Sequence, residues 1–190
     1  MKKIDVLKIP VLFCNVLYIV IAIAVIGVTV AFVHLQIDPQ YYQQWNASFL
    51  SQNGTLSYKV FERWNIDIAK EDTLLSLARI RRISLTLNYL RVIGILSLIL
   101  FTIKEFSNVI KSVRSIETFH QKNVLSFRKM HKYLFIIFIL SSITIINAQE
   151  ANLYSYSLQP TPLILSVAAL IMAEIFKQGN RLLEENQLTI

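Results

Sequence analysis

One cysteine in the whole chain, Cys14, rules out an internal disulfide and any cysteine-built metal cluster. It lies inside an apolar run, which argues against a reactive thiolate. The three histidines, His34, His120 and His131, are scattered without ligand spacing, so no zinc site is expected. Glycine is scarce, with four in the chain. Gly27 and Gly94 stand alone within apolar runs, so there is no small-residue packing face of the GxxxG kind. A glycine-rich phosphate loop, a nucleophile elbow and a paired-carboxylate motif are all missing. With no catalytic or cofactor-binding motif, the sequence reads as a non-enzyme without a cofactor. Acidic residues are few, 12 against 19 basic, for a formal net charge of +7. On a soluble domain that excess would point to nucleic acid. Here its distribution points elsewhere, and no direct nucleic-acid binding is expected.

What the chain has is apolar length. Of its 190 residues, 54% are hydrophobic, and the mean hydropathy is +0.50. Four apolar runs stand out, 11–33, 83–103, 133–148 and 163–176. A helix needs about 20 apolar residues to cross the hydrocarbon core. The first two runs reach that length, and the last two approach it with their flanks. The fold class expected is therefore an all-α membrane protein with four spans in one domain, 1–190. The basic start, Lys2 and Lys3, precedes a run longer than a signal-peptide core, with no small-residue cleavage site after it. It reads as an uncleaved first span.

Charge sets the orientation. Lys and Arg collect in cytoplasmic loops. The N-terminal tail carries Lys2, Lys3 and Lys8, and the connection 104–132 carries Lys104, Lys111, Arg114, Lys122, Arg128, Lys129 and Lys132. The tail 177–190 has Lys177 and Arg181, whereas the connection 149–162 has no basic residue. Both termini and the middle connection are thus expected in the cytoplasm. The first connection, 35–82, is nearly charge-balanced, and its length permits translocation. Arg79, Arg81 and Arg82, just before the second span, fit this assignment least well.

That outer loop holds Tyr41, Tyr42, Trp45, Tyr58, Phe61 and Trp64. Tyr and Trp favour the membrane interface, where one end of the ring is apolar and the other wet. A lid over the bundle is the sharper alternative. Asn53-Gly54 between Ser48-Phe49-Leu50 and Leu56-Ser57-Tyr58 predicts a short β-hairpin. Asn46-Ala47-Ser48 and Asn53-Gly54-Thr55 match a glycosylation acceptor, relevant only in a eukaryotic secretory route.

The helices are expected to overrun the membrane. The second begins near Thr73 and continues past residue 103, where Val109, Ile110, Val113 and Ile116 keep helical spacing. Thr118 and Gln121 fit a capping box at the start of the third. Pro160 and Pro162 mark the first turn of the fourth.

Two ionisable residues lie within apolar runs, Arg91 and Glu174. An intramembrane charge costs about 2.5–3.5 kcal/mol or more, so it needs a partner or water. Arg91 lies roughly 12 Å in from Ile83 at 1.5 Å per residue, while Glu174 is near the cytoplasmic end of the fourth span. The two pair only if the helices are offset. Otherwise Glu174 meets a cation such as Arg128 or Lys177, or each side chain reaches the nearer interface alone. Asn15, Asn88 and Ser97 read as hydrogen-bonding glue between helices.

The second half of the chain resembles a bacterial family. Thr118-Phe119-His120-Gln121-Lys122-Asn123-Val124, running into Arg128-Lys129-Met130, follows the pattern of an aromatic, a polar turn, Asn-Val and a basic helix start. Ala173-Glu174-Ile175-Phe176-Lys177-Gln178-Gly179 and Leu183-Glu184-Glu185-Asn186-Gln187 form the second match. These are marks of the YoaS-like membrane proteins, small four-span proteins of unknown function, often encoded beside a small helix-turn-helix regulator. The motifs cover about the last 75 residues; the first half matches in layout only. The family's usual proline in the turn before Asn-Val is replaced by His120-Gln121-Lys122. The resemblance implies a cytoplasmic docking face at Asn123, Arg128, Gly179, Glu184, Glu185 and Asn186. The same residues are equally suited to capping and bridging helices three and four. The resulting expectation is a membrane protein that works by interaction, with the lipid bilayer around it and a cytosolic helix-turn-helix regulator as partner. The alternative is a small transporter, or an accessory subunit of one, that uses Arg91 and Glu174 as a homo-oligomer.

Overall fold

The computed structural model describes residues 8–42, 46–48, 56–63, 74–76, 80–115, 119–148 and 151–187. Four helices dominate: α1 (Lys8–Ile37), α2 (Arg82–Arg114), α3 (Gln121–Ser142) and α4 (Pro160–Gln187). Between them run the strands β1 (Asn46–Ser48), β2 (Leu56–Arg63), β3 (Leu74–Ser76), β4 (Ile143–Asn147) and β5 (Ala151–Leu158).

Three helices, α1, α2 and α4, are long and apolar enough to cross a bilayer. On α1, Leu12, Ile19, Ile23, Ile26 and Val30 are all exposed. A helix that is apolar all round needs lipid to cover it, and the chain is accordingly a membrane protein. α4 begins at Pro160 and runs well beyond the expected 163–176.

The expected third span needs correction. The run 133–148 is not one helix: α3 ends at Ser142 and Ile143 opens β4. Ile143, Thr144, Ile145 and Ile146 are β-branched, so their stiff side chains favour a pleated strand over a helix. The first twelve residues of α3 carry Lys122, Arg128, Lys129 and Lys132, and α3 is not among the three candidate spans found among the described residues.

The hairpin expected around Asn53-Gly54 falls largely on residues 49–55, outside the described ones. β1 pairs antiparallel with β3, and β2 pairs with β5 instead of β1. Asn53 and Gly54 themselves lie outside the described residues. The larger sheet has the order β2-β5-β4, with Lys59 opposite Ser155, Val60 opposite Tyr154 and Thr144 opposite Ser155. β2 belongs to the first connection and β5 to the third, so the sheet ties these two connections together.

The second helix begins at Arg82, not near Thr73. Strand pairing claims the preceding residues: β3 joins β1, Ile80 bridges Ala148, and the Arg81 amide donates to the Asn147 carbonyl at 2.9 Å. Its far end runs on to Arg114, as the helical spacing of Val109, Ile110 and Val113 implies. At the start of α3 His120 caps the helix. Its Nδ1 accepts from the Lys122 amide at 3.1 Å, and its carbonyl accepts from the Asn123 amide at 2.9 Å. Thr118 is outside the described residues.

The chain divides into two compact units. Unit 1 comprises residues 1–23, 96–138 and 160–190. Its core is Val109, Val124, Phe127, Met130, Ala169, Ala173 and Phe176, with Val113, Phe119 and Leu134 packed around it. The small residues Ala169 and Ala173 let α4 approach closely, as membrane helix interfaces require. Unit 2 comprises residues 24–95 and 139–159. There Phe32 stacks on Tyr89 with ring centroids 4.1 Å apart, and Thr29 Oγ1 and the Tyr89 hydroxyl share a hydrogen bond of 3.1 Å.

Candidate functional site

In unit 2 the polar residues of α2 are arranged as a stripe. Ser84, Asn88 and Arg91 stand at i, i+4 and i+7, which places them on one helix face. That face meets the backbone where α3 breaks into β4. Arg91 Nε donates to the Leu140 carbonyl at 2.6 Å, and Nη2 to the Ser141 carbonyl at 3.3 Å. Arg91 Nη1 donates to Thr144 Oγ1 at 2.5 Å. Asn88 Nδ2 donates to the Ser84 and Ile145 carbonyls, each at 2.9 Å. Ser84 Oγ accepts from the Asn147 amide at 3.0 Å.

The last carbonyls of a helix have no partner within the helix and carry the negative end of its dipole. In lipid, each such group left unpaired costs several kcal/mol. The planar guanidinium, with five donors, suits two adjacent carbonyls and a hydroxyl. Arg91 therefore caps α3, and the Ser84 and Asn88 side chains serve the strand that follows. The sequence singled out Arg91 and Asn88 separately. The joint signal, polar residues at helical spacing opposite a β-branched run, was present but unread.

Glu174 has a different partner. Its carboxylate accepts from Lys177 Nζ at 3.3 Å, one turn along α4, and both side chains are about half exposed. Arg91 belongs to unit 2 and Glu174 to unit 1, and each is accounted for within its own unit.

Unit 1 holds a second polar cluster. Glu105, 13% exposed, accepts from Ser126 Oγ at 2.7 Å and from Lys129 Nζ at 3.0 Å. Hydrogen bonding to this carboxylate, with its charge, raises the Lys129 ammonium above the ordinary lysine range. Nearby, His131 Nδ1 and Ser166 Oγ lie 2.9 Å apart, and Ser166 is fully buried.

The six residues expected to form a docking face separate into two groups. Asn123 is buried, and its Nδ2 donates to Ser112 Oγ at 2.9 Å, joining α3 to α2. Gly179 faces the Phe119 ring so closely that any Cβ there would overlap it. Phe119 packs in turn on Phe176, with centroids 5.6 Å apart. These two positions serve packing within unit 1. Arg128, Glu184 and Glu185 are exposed. Glu184 accepts from Asn180 Nδ2 and Glu185 from Arg181 Nε, each at 2.8 Å and one turn apart. The Asn186 side chain is outside the described residues. Missed by the sequence reading are Leu182 and Leu183, both exposed among these charges and 61% and 47% accessible.

No family model, curated protein or solved structure matches the chain.

Proposed function

We propose that this is a multi-pass membrane protein that works by interaction, docking a cytosolic protein on the C-terminal end of α4. The observation behind this reading is the projection of α4. The helix runs eleven residues beyond Phe176, its last core residue, to Gln187, which is about 16 Å of additional helix. Over that length Leu182 and Leu183 stand exposed beside Arg181, Glu184 and Glu185. An apolar centre with a polar rim suits a protein-binding surface. The i, i+4 pair Arg181–Glu185 is solvent-exposed and worth little by itself, so it yields readily to a partner's charges.

Orientation follows from charge: the basic connection 104–132 and the tail lie in the cytoplasm, and the β2-β5-β4 sheet lies on the opposite face of a bacterial inner membrane. The resemblance to the YoaS-like proteins rests on the sequence motifs. It makes a small helix-turn-helix regulator the first partner to look for. A transport role through Arg91 has less behind it, since the guanidinium is engaged with the α3–β4 backbone.

The test is a mild-detergent pull-down of the tagged protein from its host's membranes. Replacing Glu184 and Glu185 with Lys should remove a co-purifying cytosolic protein while membrane insertion stays intact. Unchanged capture would sink the docking assignment.

A further inference from the structure

A cleft of about 560 Å³ opens on unit 1 between α3 and α4, lined by Leu125, Arg128, Lys129, His131, Lys132 and Leu170. Its polar wall is cationic. Lys129 is paired with Glu105. Arg128 and Lys132 are exposed, and among the described residues neither has an ion pair. They sit at i and i+4 on α3, so both charges face the same way. The apolar wall is Leu125 and Leu170, about half exposed at 48% and 46%. Leu170 lies within α4, one of the three candidate spans. On α3 the charged residues end at Lys132, and the apolar run begins at Tyr133. Tyr at such a change from charged to apolar suits the level of a membrane interface.

We infer that this cleft binds one anionic phospholipid, with its headgroup phosphate against Arg128 and Lys132 and its acyl chain along Leu125 and Leu170. Basic pockets between membrane helices take anionic headgroups for this reason. Arg presents a planar fork to phosphate oxygens, while Lys adds a point charge. The apolar wall separates a lipid from a free phosphate ion, which has no use for the leucines. The proposal is independent of partner docking on α4, whose residues 181–185 lie outside the cleft.

The test is native mass spectrometry of the full chain in mild detergent, mixed with phosphatidylglycerol or phosphatidylcholine. The expected result is one retained phosphatidylglycerol per chain and little phosphatidylcholine. Arg128→Gln with Lys132→Gln should weaken retention roughly tenfold or more. Lys122→Gln, also exposed on α3, should change it little. Millimolar inorganic phosphate should not displace the lipid. Equal retention of the two lipids by the unaltered chain would overturn the proposal, whatever the variants do. Displacement by phosphate alone would assign the cleft to a free anion and overturn it too.

Discussion

Arg91 on α2 donates through Nε to the Leu140 carbonyl, 2.6 Å away, in the last turn of α3. With the bonds to Ser141 and Thr144, this contact allows an apolar run to change from helix to strand. Arg91, the charge within the second apolar run, caps the last turn of α3.

Arg91→Leu should therefore destabilise the protein by about 2–4 kcal/mol, since three acceptors lose a charged donor. Arg91→Lys should recover part of that loss, because an ammonium cannot reproduce the fork. Thermal unfolding in detergent measures both. Hydrogen exchange should also quicken locally at residues 140–146 in Arg91→Leu. An unaltered melting point would show that the cap carries no weight.

Gly179→Ala places a methyl group into the Phe119 ring. The ring is held by Phe176, so the substitution should cost about 1–3 kcal/mol by overpacking. Phe119→Leu in the same chain should relieve most of it. A double variant no more stable than Gly179→Ala would contradict this packing account.

The register of β2 on β5 can be tested covalently. With Cys14 replaced by Ser, Lys59→Cys and Ser155→Cys sit opposite each other. Their Cα separation in an antiparallel pair is about 4.5–5.5 Å, within disulfide range. Mild oxidation should join them quickly, whereas Lys59→Cys with Asn152→Cys should join slowly. Equal rates would mean that the register is not fixed.

Much of this was legible in the sequence. The run 11–33 is long and apolar without interruption, so α1 followed from hydropathy alone. The continuation of α2 to Arg114 followed from the spacing of Val109, Ile110 and Val113. The end of α3 within the run 133–148 is not legible in hydropathy, because Ile143–Asn147 is as apolar as a helix interior and hydropathy does not register β-branching. The Asn53-Gly54 signal is local, whereas the partner of β2 lies some ninety residues later, beyond the reach of local turn chemistry. Asn123 and Gly179 stood out as motif residues, but a motif does not distinguish a packing constraint from a docking surface. The burial of Asn123 and the Gly179–Phe119 contact show packing at these two positions.

We propose that the end of α4 docks a cytosolic protein. A photo-crosslinking amino acid in place of Leu182, introduced in the living host, tests it most directly. The predicted result is an adduct with a soluble cytosolic protein. The same probe at Ile164, exposed near the start of α4, should give none. Lipid adducts alone at Leu182, or no adduct, would contradict the claim.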